Sequence, residues 1–310
     1  MMNTEKDRYS ERIKAEAKRL GFTDCGIASV QHLDEEEPRL LKWLENGMNG
    51  QMGYMERNVE KRLDPGKLVE GARSVVSVIL NYYPGEKQKA EDAPVISKYA
   101  YGTDYHFVIK DKLKSLLHFI QEEIAPCSGR PFVDSAPVLD RAWARRAGLG
   151  WIGKNSHLIS PKHGSFFFIG ELIIDLELAY DQPADTDFCG SCTRCIDACP
   201  TKAIVAPHTI DARKCISYLT IENRDEIPET FKGQLKDRMY GCDICQDVCP
   251  WNRNPSPHNV EAFIPEPDLL EMTRADWKDL DRENFNQLFR KSAVKRAGFK
   301  GLRRNIDFLD

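Results

Sequence analysis

The cysteines are the first indication of the chemistry that this sequence can carry. Ten of the 310 residues are cysteine, and eight of them lie between positions 189 and 249. One run has the spacing C-x2-C-x2-C-x3-C-P and ends at Pro200, and a second has C-x2-C-x3-C-P and ends at Pro250. The first spacing is the one that holds [4Fe–4S] clusters in small bacterial electron carriers, where the fourth cysteine binds the neighbouring cluster. The sequence therefore predicts two iron–sulfur clusters.

The same spacing indicates which cysteines share a cluster. The second run would need a further cysteine at Met239, and the isolated Cys215 is its natural substitute. We expect two sets of four ligands, namely Cys189, Cys192, Cys195 and Cys249 for one cluster, and Cys199, Cys215, Cys242 and Cys245 for the other. Zinc sites favour two CxxC pairs across a spacer, and disulfides favour secreted chains, so both alternatives fit less well. The prediction is a two-cluster, ferredoxin-like domain that moves electrons.

Length, composition and charge exclude several other classes of protein. The chain is long enough for one large domain or two to three modest ones, and its 41% hydrophobic and 30% charged residues are ordinary for a globular protein. It has no apolar run of about 18 residues and no export signal, so we expect a cytoplasmic protein without a membrane partner. The net charge of −4 argues against a general nucleic-acid binder. Residues 286–310 nevertheless carry seven basic and two acidic side chains, which fits either a solvated helix face or an RNA contact.

Helical and strand patterns alternate upstream of the cysteines. They predict helices over 5–20, 39–45, 104–124 and 137–147, and strands over 24–30, 74–80, 131–135 and 165–176. This order predicts an α/β or α+β domain over residues 1–182. A ferredoxin-like domain over 183–255 and a short, basic helical tail over 256–310 would follow.

The glycines at 148, 150 and 153 match the G-x-G-x-x-G pattern of dinucleotide-binding proteins. That pattern binds a pyrophosphate only where it follows a strand and opens a helix. Here the glycines follow a predicted helix, and Trp151 would obstruct a phosphate group. We therefore do not expect a dinucleotide site.

Four longer motifs carry a family resemblance over about residues 5–305. They are DSAPVLDRAWARRAGLGWIGKN from Asp134, YGTDYH from Tyr101, the stretch from Gly164 to Glu171, and CISYLTIE from Cys215. In these motifs the chain resembles the epoxyqueuosine reductases. The resemblance implies a cobalamin-dependent, iron–sulfur enzyme that reduces epoxyqueuosine to queuosine at the wobble position of a tRNA anticodon. It also implies a cobalamin-binding domain similar to that of the reductive dehalogenases.

The resemblance implies a mechanism in which cob(I)alamin, reduced by the clusters, acts on the epoxide, and Asp134 is the proton donor. A carboxylic acid suits this role because the opened epoxide oxygen gains negative charge. It would have to stay protonated, which requires a desolvated site that raises its pKa. From the residues alone, Asp134 fits equally well as the N-cap of a helix beginning near Pro137.

The matching segments also supply candidate contacts to the cofactor. The cobalamin candidates are Arg57, Ser97, Asp134, His157, Ser160, Ile169, Ser217 and Asp243. At Ser97 the family has cysteine in some members. Since the sequence has no D-x-H-x-x-G motif, which supplies a histidine to cobalt in many cobalamin enzymes, we expect base-off cobalamin without such a ligand.

The remaining expectations concern partners. Contacts to tRNA are expected from Asn223 and Arg224 near the anticodon loop, and from Lys295, Arg296, Arg303 and Arg304 on phosphates. A low-potential electron donor should supply the clusters, and the protein should be a monomer. Many family members continue into a C-terminal helical repeat domain, whereas this sequence ends at residue 310. A reductive dehalogenase and a non-catalytic electron carrier remain as alternative functions.

Overall fold

The structure is a computed structural model that describes residues 4–310. The described residues form twelve α-helices: α1 Glu5–Arg19, α2 Glu37–Glu45, α3 Val59–Leu63, α4 Tyr105–Glu123, α5 Asp140–Arg146, α6 Arg194–Ala198, α7 Ile216–Ile221, α8 Ile244–Asp247, α9 Pro267–Glu271, α10 Arg274–Lys278, α11 Arg282–Leu288 and α12 Gly298–Leu309. They also form ten strands: β1 Asp24–Ser29, β2 Ser74–Asn81, β3 Val95–Ile96, β4 Gly129–Phe132, β5 Trp151–Ile152, β6 Leu158–Ile159, β7 Phe167–Ile174, β8 Ile204–Ala206, β9 Thr209–Ile210 and β10 Arg238–Tyr240.

A four-stranded sheet is the framework of the N-terminal part. Its order is β1-β2-β7-β4, and every neighbouring pair is antiparallel. Strands β2 and β7 lie at its centre and are buried almost throughout, as their continuous apolar sequences predict. Antiparallel pairing makes this domain α+β.

Helices cover both faces of the sheet. Helices α1 and α4 pack on one face through a core that includes Ile13, Ile109 and Leu113. Helix α5 packs on the other face, where Trp143 is fully buried. A Cβ at Gly26 of β1 would lie 2.0 Å from the carbonyl oxygen of Ala147, so glycine is needed for the end of α5 to approach the strand.

The cysteine-rich region and the C-terminal helices pack against this domain through a strand pair and a common hydrophobic core. Strand β10 pairs in parallel with β3, and α6 packs against α8. One hydrophobic core contains residues from all three parts of the chain, including Ile96, Tyr240 and Ile306. The basic tail is therefore packed against the rest of the protein, and the boundaries at 182 and 255 remain predictions.

The structure changes one expectation about Asp134 and agrees with another about the glycines that follow α5. Strand β4 ends at Phe132, and α5 begins at Asp140 with Leu139 at its N-cap. The alternative that Asp134 caps this helix is wrong, because five residues lie between it and the first helical residue. Gly148 comes after α5 and is followed by β5, which is the reverse of the dinucleotide-binding order.

Within residues 4–310, no helix is both long and apolar enough to cross a membrane.

Candidate active site

A cavity of about 340 Å³ lies between the sheet and the cysteine-rich region. Strand β7 contributes Phe167, Phe168 and Ile169 to its wall, and the loop after β4 contributes Asp134. The opposite wall is built from residues 199–217 and 242–246. A mainly apolar wall with a few polar groups is typical of cofactor and substrate sites.

One set of four cysteines lines this cavity. Its members are Cys199, Cys215, Cys242 and Cys245. Burial raises the pKa of Cys215, and the neighbouring Cys199 raises it further, while backbone amides act against this. Burial also raises the pKa of Cys242 to about 12, with a further contribution from Cys215. The thiols are therefore close neighbours, and a cluster held by them would form part of the cavity wall.

The other four cysteines lie together farther from the cavity. Burial raises the pKa of Cys195, and nearby Cys189 and Cys249 add to the effect. Burial likewise raises the pKa of Cys249, with additions from Cys189 and Cys192. The neighbours of each cysteine fall mostly within the two predicted sets, although Cys245 is also influenced by Cys195, and the assignment of ligands to clusters stays a prediction. No group of three His, Cys, Asp or Glu side chains in residues 4–310 is arranged for a single metal ion.

Asp134 faces the cavity from a loop with an unusual backbone conformation. Its φ angle is +47°, in the left-handed region that non-glycine residues rarely adopt. The carboxylate accepts a hydrogen bond of 2.5 Å from the Tyr105 hydroxyl, and its side chain is 62% exposed. The ring of Tyr105 is stacked on Phe168 at a centroid distance of 4.1 Å. Packing of Tyr105 therefore fixes one partner of a carboxylate that is open to the cavity.

His106 is the second partner of Asp134. Its Nε2 lies 3.6 Å from Oδ2 of Asp134, within ion-pair distance, and its Nδ1 lies 2.7 Å from Oδ1 of Asp104. Asp104 also caps α4 by accepting from the backbone amide of His106. The start of α4 thus holds an imidazole between two carboxylates.

These contacts determine the charges at Asp134. Partial desolvation raises the pKa of Asp134, but the contacts with His106 and Tyr105 outweigh it and leave the pKa below its usual value. Burial lowers the pKa of His106, but Asp104 and Asp134 together raise it to about 9. The expected raised pKa of Asp134 is therefore absent from this state of the protein, and its neighbour His106 carries the proton.

The sequence analysis did not identify Tyr105 and His106 as site residues. Both belong to the motif YGTDYH, which was noted only for its resemblance to the family. They lie 29 and 28 residues before Asp134, respectively, so periodicity gives no sign of the contact. The one available signal was a histidine two residues after an aspartate at the predicted start of a helix, where side chains are free to pair.

Two neighbouring carboxyl groups lie at the cavity wall, where Asp140 is part of the lining and Glu171 is absent from it. Glu171 of β7 is fully buried, and Asp140 is the first residue of α5. Burial raises the pKa of Glu171 well above its usual value, and the neighbouring Asp140 adds to this. Burial also raises the pKa of Asp140, while its contact with Glu171 acts in the opposite direction. We infer that Glu171 keeps the proton and Asp140 is the anion.

Most of the predicted cobalamin contacts line the cavity. Besides Asp134, they are Ser97, His157, Ile169, Ser217 and Asp243. Two candidates are absent from the described lining: Arg57 is exposed, and Ser160 is buried in a β-bridge with Gly164.

Two of the lining candidates have well-defined surroundings. The hydroxyl of Ser97 donates to Asp243 at 2.5 Å, so this serine is a fixed partner of a buried carboxylate. Burial and the charge of Arg141 lower the pKa of His157 to about 3, so its ring is neutral. Neutral polar groups on an apolar wall suit a large ligand that has amide groups at its edge.

The six predicted RNA contacts differ in how far their side chains are engaged in hydrogen bonds within the protein. Arg304 donates to three backbone carbonyls, of Leu219, Asn223 and Asp225. The side chain of Asn223 is itself buried and donates to the carbonyl of Asp225. These two residues hold the C-terminal helix against α7 and the loop after it, so their side chains have internal roles.

The other four RNA candidates lie nearer the surface. Arg296 makes two hydrogen bonds of 3.0 Å to Glu222, and its guanidinium lies 5.9 Å from the centre of the Tyr54 ring. Lys295 is exposed. Arg303 pairs with Asp307 at 3.1 Å, and Arg224 donates to the carbonyl of Arg296. Of the six candidates, Lys295 is the one whose side chain has no hydrogen bond or ion pair within residues 4–310.

Comparison with known proteins gives consistent matches along the chain. Residues 188–252 match the family described as "4Fe-4S double cluster binding domain", and residues 62–135 match "Epoxyqueuosine reductase QueG, DUF1730". An epoxyqueuosine reductase from Cellulophaga algicola is 60% identical over 99% of this chain and 100% of its own length.

Solved structures agree with the sequence matches. The crystal structure of an epoxyqueuosine reductase with an epoxyqueuosine-modified tRNA-Tyr stem loop has a TM-score of 0.87 and 30% identity, over 97% of this chain and 80% of that one. A Bacillus subtilis epoxyqueuosine reductase, with an aspartate-containing catalytic loop swung out of the active site, has a TM-score of 0.87 and 30% identity over 97% of this chain and 81% of that one. With 60% identity along its length and a double-cluster domain, the chain belongs to the epoxyqueuosine reductase family of oxidoreductases.

Proposed function

We propose that this protein reduces the epoxide of epoxyqueuosine at the wobble position of a tRNA anticodon, and so forms queuosine. The observation that carries the proposal is the cavity, which is lined by Asp134 on one side and by four cysteines of the double-cluster domain on the other. A deoxygenation needs electrons and protons at one place, and this cavity has a source for each. Family membership supplies the substrate, since a relative of the same family is known with a modified tRNA stem loop.

The proposed cofactors are two [4Fe–4S] clusters and base-off cobalamin. Cys199, Cys215, Cys242 and Cys245 would hold the cluster next to the cavity, and Cys189, Cys192, Cys195 and Cys249 the cluster farther away. Cobalamin fits the cavity through its mixed lining, in which Ser97, His157, Ile169, Ser217 and Asp243 are the proposed contacts. When bound in its reduced cob(I) form, it would supply the strong nucleophile that the epoxide requires.

The residues of the chain have complementary tasks in this proposal. Asp134 protonates the epoxide oxygen as its bond to carbon breaks. Tyr105 holds the carboxylate toward the cavity through its hydroxyl, and burial raises the pKa of this tyrosine so that it stays a hydrogen-bond donor. Surrounding apolar side chains exclude water once the cavity is filled.

The tRNA would approach from the side of Arg296 and Lys295, which lie at the surface near Tyr54. Basic side chains there would bind phosphates, and Arg224 and Arg303 are further candidates. An external low-potential donor would reduce the cluster farther from the cavity. In the proposed division of the chain, residues 1–182 form the substrate side of the cavity and residues 183–255 carry the electrons.

The test is the substitution Asp134→Asn in the holoenzyme. Asparagine keeps the size of the side chain but has no proton to donate, so we expect epoxide reduction to fall about 100-fold or more while iron content and cobalamin binding persist. The matched control is Asp34→Asn, which removes another histidine-paired carboxylate, 2.7 Å from His32 and far from the cavity lining. Near-normal turnover by Asp134→Asn would exclude Asp134 as the proton donor.

A further inference from the structure

The proposed reaction needs more protons per turnover than Asp134 can hold at one time. Removing an epoxide oxygen as water breaks two C–O bonds and consumes two electrons and two protons. One proton goes to the oxygen when the ring opens, and the second goes to the same oxygen as it leaves. A carboxyl group holds one proton, so Asp134 must be recharged within a turnover.

Direct recharging by water conflicts with the position of Asp134. Its carboxylate faces the cavity, and a substrate and cofactor that filled the cavity would displace water from that side. His106 is reached from elsewhere: it is absent from the described cavity lining, yet its side chain is 32% exposed. The imidazole can therefore take up a proton from solvent while ligands cover the cavity side of the carboxylate.

We propose that His106 is the residue that recharges Asp134, an inference that rests on the proposed function. The proton on Nε2 of His106 moves to Oδ2 of Asp134, and Asp134 gives its proton to the substrate oxygen as the C–O bond breaks. The neutral imidazole then takes a proton from solvent. The two electrons come from the external low-potential donor through the iron–sulfur clusters, so each turnover adds two electrons and two protons and releases one water.

The geometry suits this transfer. The 3.6 Å between Nε2 and Oδ2 is longer than a hydrogen bond, and a movement of about 0.7 Å would bring it to hydrogen-bond length. Catalytic contacts are commonly long in the free enzyme and shorten in the complex. At the other nitrogen, Asp104 accepts a hydrogen bond of 2.7 Å, which fixes the ring and stabilises its charged form. His106 therefore acts through Asp134, as a positioning and proton-supplying residue.

The charges around the pair support a proton on His106 at neutral pH. Asp104 and Asp134 face the imidazole and raise its pKa to about 9, against the effect of burial. Asp134 is also influenced by Arg141 of α5, which helps to keep it ionised. Tyr105 covers one face of the imidazole, with a centroid distance of 4.3 Å, and brings no charge.

The experiment is the pH dependence of epoxide reduction by the holoenzyme, with excess chemical reductant and a modified anticodon stem loop. We expect the wild-type rate to be constant up to about pH 9 and to fall above it, as His106 loses its proton. In His106→Gln, the proton has to reside on Asp134 itself. The rate should then fall about tenfold per pH unit between pH 6 and 8, and at pH 7.5 should be at least tenfold below wild type.

A second variant keeps the imidazole in place. Asparagine is as good an N-cap as aspartate, so Asp104→Asn should preserve α4 while it removes the charge beside Nδ1 of His106. We expect the fall in rate at high pH to begin about one pH unit or more below its wild-type position. The control is His163→Gln, which removes a histidine 3.9 Å from Asp24, outside the cavity lining, and should leave the profile unchanged.

The outcomes separate this inference from the proposed function. If the wild type does not reduce the epoxide, the proposed function fails. If it does, and His106→Gln keeps the wild-type profile or loses rate equally at every pH, His106 has at most a structural role and the inference fails. If His106→Gln does not fold, an unshifted profile in Asp104→Asn has the same consequence.

Discussion

The buried carboxyl group of Glu171 gives a quantitative prediction about the framework of the site. Glu171 is fully buried at the centre of the sheet, and it forms no ion pair within residues 4–310. Its neighbour Asp140 raises its pKa further. The substitution Glu171→Gln replaces a neutral carboxyl group by a neutral amide of the same shape. If Glu171 is protonated in the folded protein, this change removes the pH dependence that Glu171 gives to the unfolding free energy, and it changes little else.

The direction and the size of this pH dependence follow from the linkage between proton binding and folding. In the unfolded chain a glutamate ionises near pH 4.3, whereas in the folded protein Glu171 keeps its proton to a much higher pH. Stability from this group is therefore full below about pH 4 and is lost as pH rises toward the folded pKa. Over the pH range in which Glu171 stays protonated in the folded protein, the loss is about 1.4 kcal/mol of unfolding free energy per pH unit.

The assay is the difference in melting temperature between Glu171→Gln and wild type, measured anaerobically at pH 6 and pH 8. We expect the melting temperature of the variant to rise relative to wild type over this interval, by about 2–3 °C for each pH unit in which Glu171 stays protonated, since 1 kcal/mol corresponds to about 2 °C or more in a chain of this size. The control is Ser77→Ala, because Ser77 lies beside Glu171 in β2, is buried without a hydrogen-bond partner and does not titrate here. A variant–wild-type difference that is equal at the two pH values would refute a protonated Glu171.

Two further predictions concern the tail and the cofactors. Arg304→Ala removes hydrogen bonds to three carbonyls and should cost about 2–4 kcal/mol of stability, whereas Lys295→Ala should leave the melting temperature unchanged and reduce the salt dependence of stem-loop affinity by about 0.7 of a slope unit. Equal effects of the two variants on stability would contradict this division. Anaerobically purified protein should contain about eight irons per chain, and its cob(II) resonance spectrum should lack nitrogen splitting. Two zinc ions without sulfide would overturn the cluster assignment, and clear nitrogen coupling would implicate an imidazole such as His157, which faces the cavity.

The parts of the structure that the sequence predicted are those with local signals. Strand β2 and helix α1 follow from a continuous apolar run and from a capped, periodic segment, and both lie within one residue of their predicted bounds. The two sets of cysteines follow from a spacing that is fixed by the shape of a cluster. The prediction that Cys215 replaces the missing ligand at 239 depends on one isolated cysteine in the sequence, and the position of Cys215 beside Cys199 and Cys242 is consistent with it.

The parts that were not predicted depend on contacts between distant residues. The helix containing Asp140 begins three residues later than expected, because Pro137 does not start it, and this leaves Asp134 in a loop rather than at a cap. The tail was predicted as a short, separate helical segment at the end of the chain. In the structure, Ile306 of this tail belongs to a core that also contains Ile96 and Tyr240. No periodicity within the tail indicates those partners, since they come from strands β3 and β10.

The two walls of the cavity explain how a reduction can proceed there without a build-up of charge. On the proposed function, two electrons enter through the cysteine-lined wall that includes Cys242 and Cys245, and two protons enter through Asp134 on the opposite wall, supplied by His106 outside the described cavity lining. Each negative charge that arrives can be matched by a proton from the other side. A neutral Glu171 behind Asp140 serves the same balance, because a second carboxylate there would oppose the negative charge that develops on the substrate oxygen. The antiparallel sheet, whose strand β7 forms part of the wall opposite the cysteines, keeps these groups on one cavity.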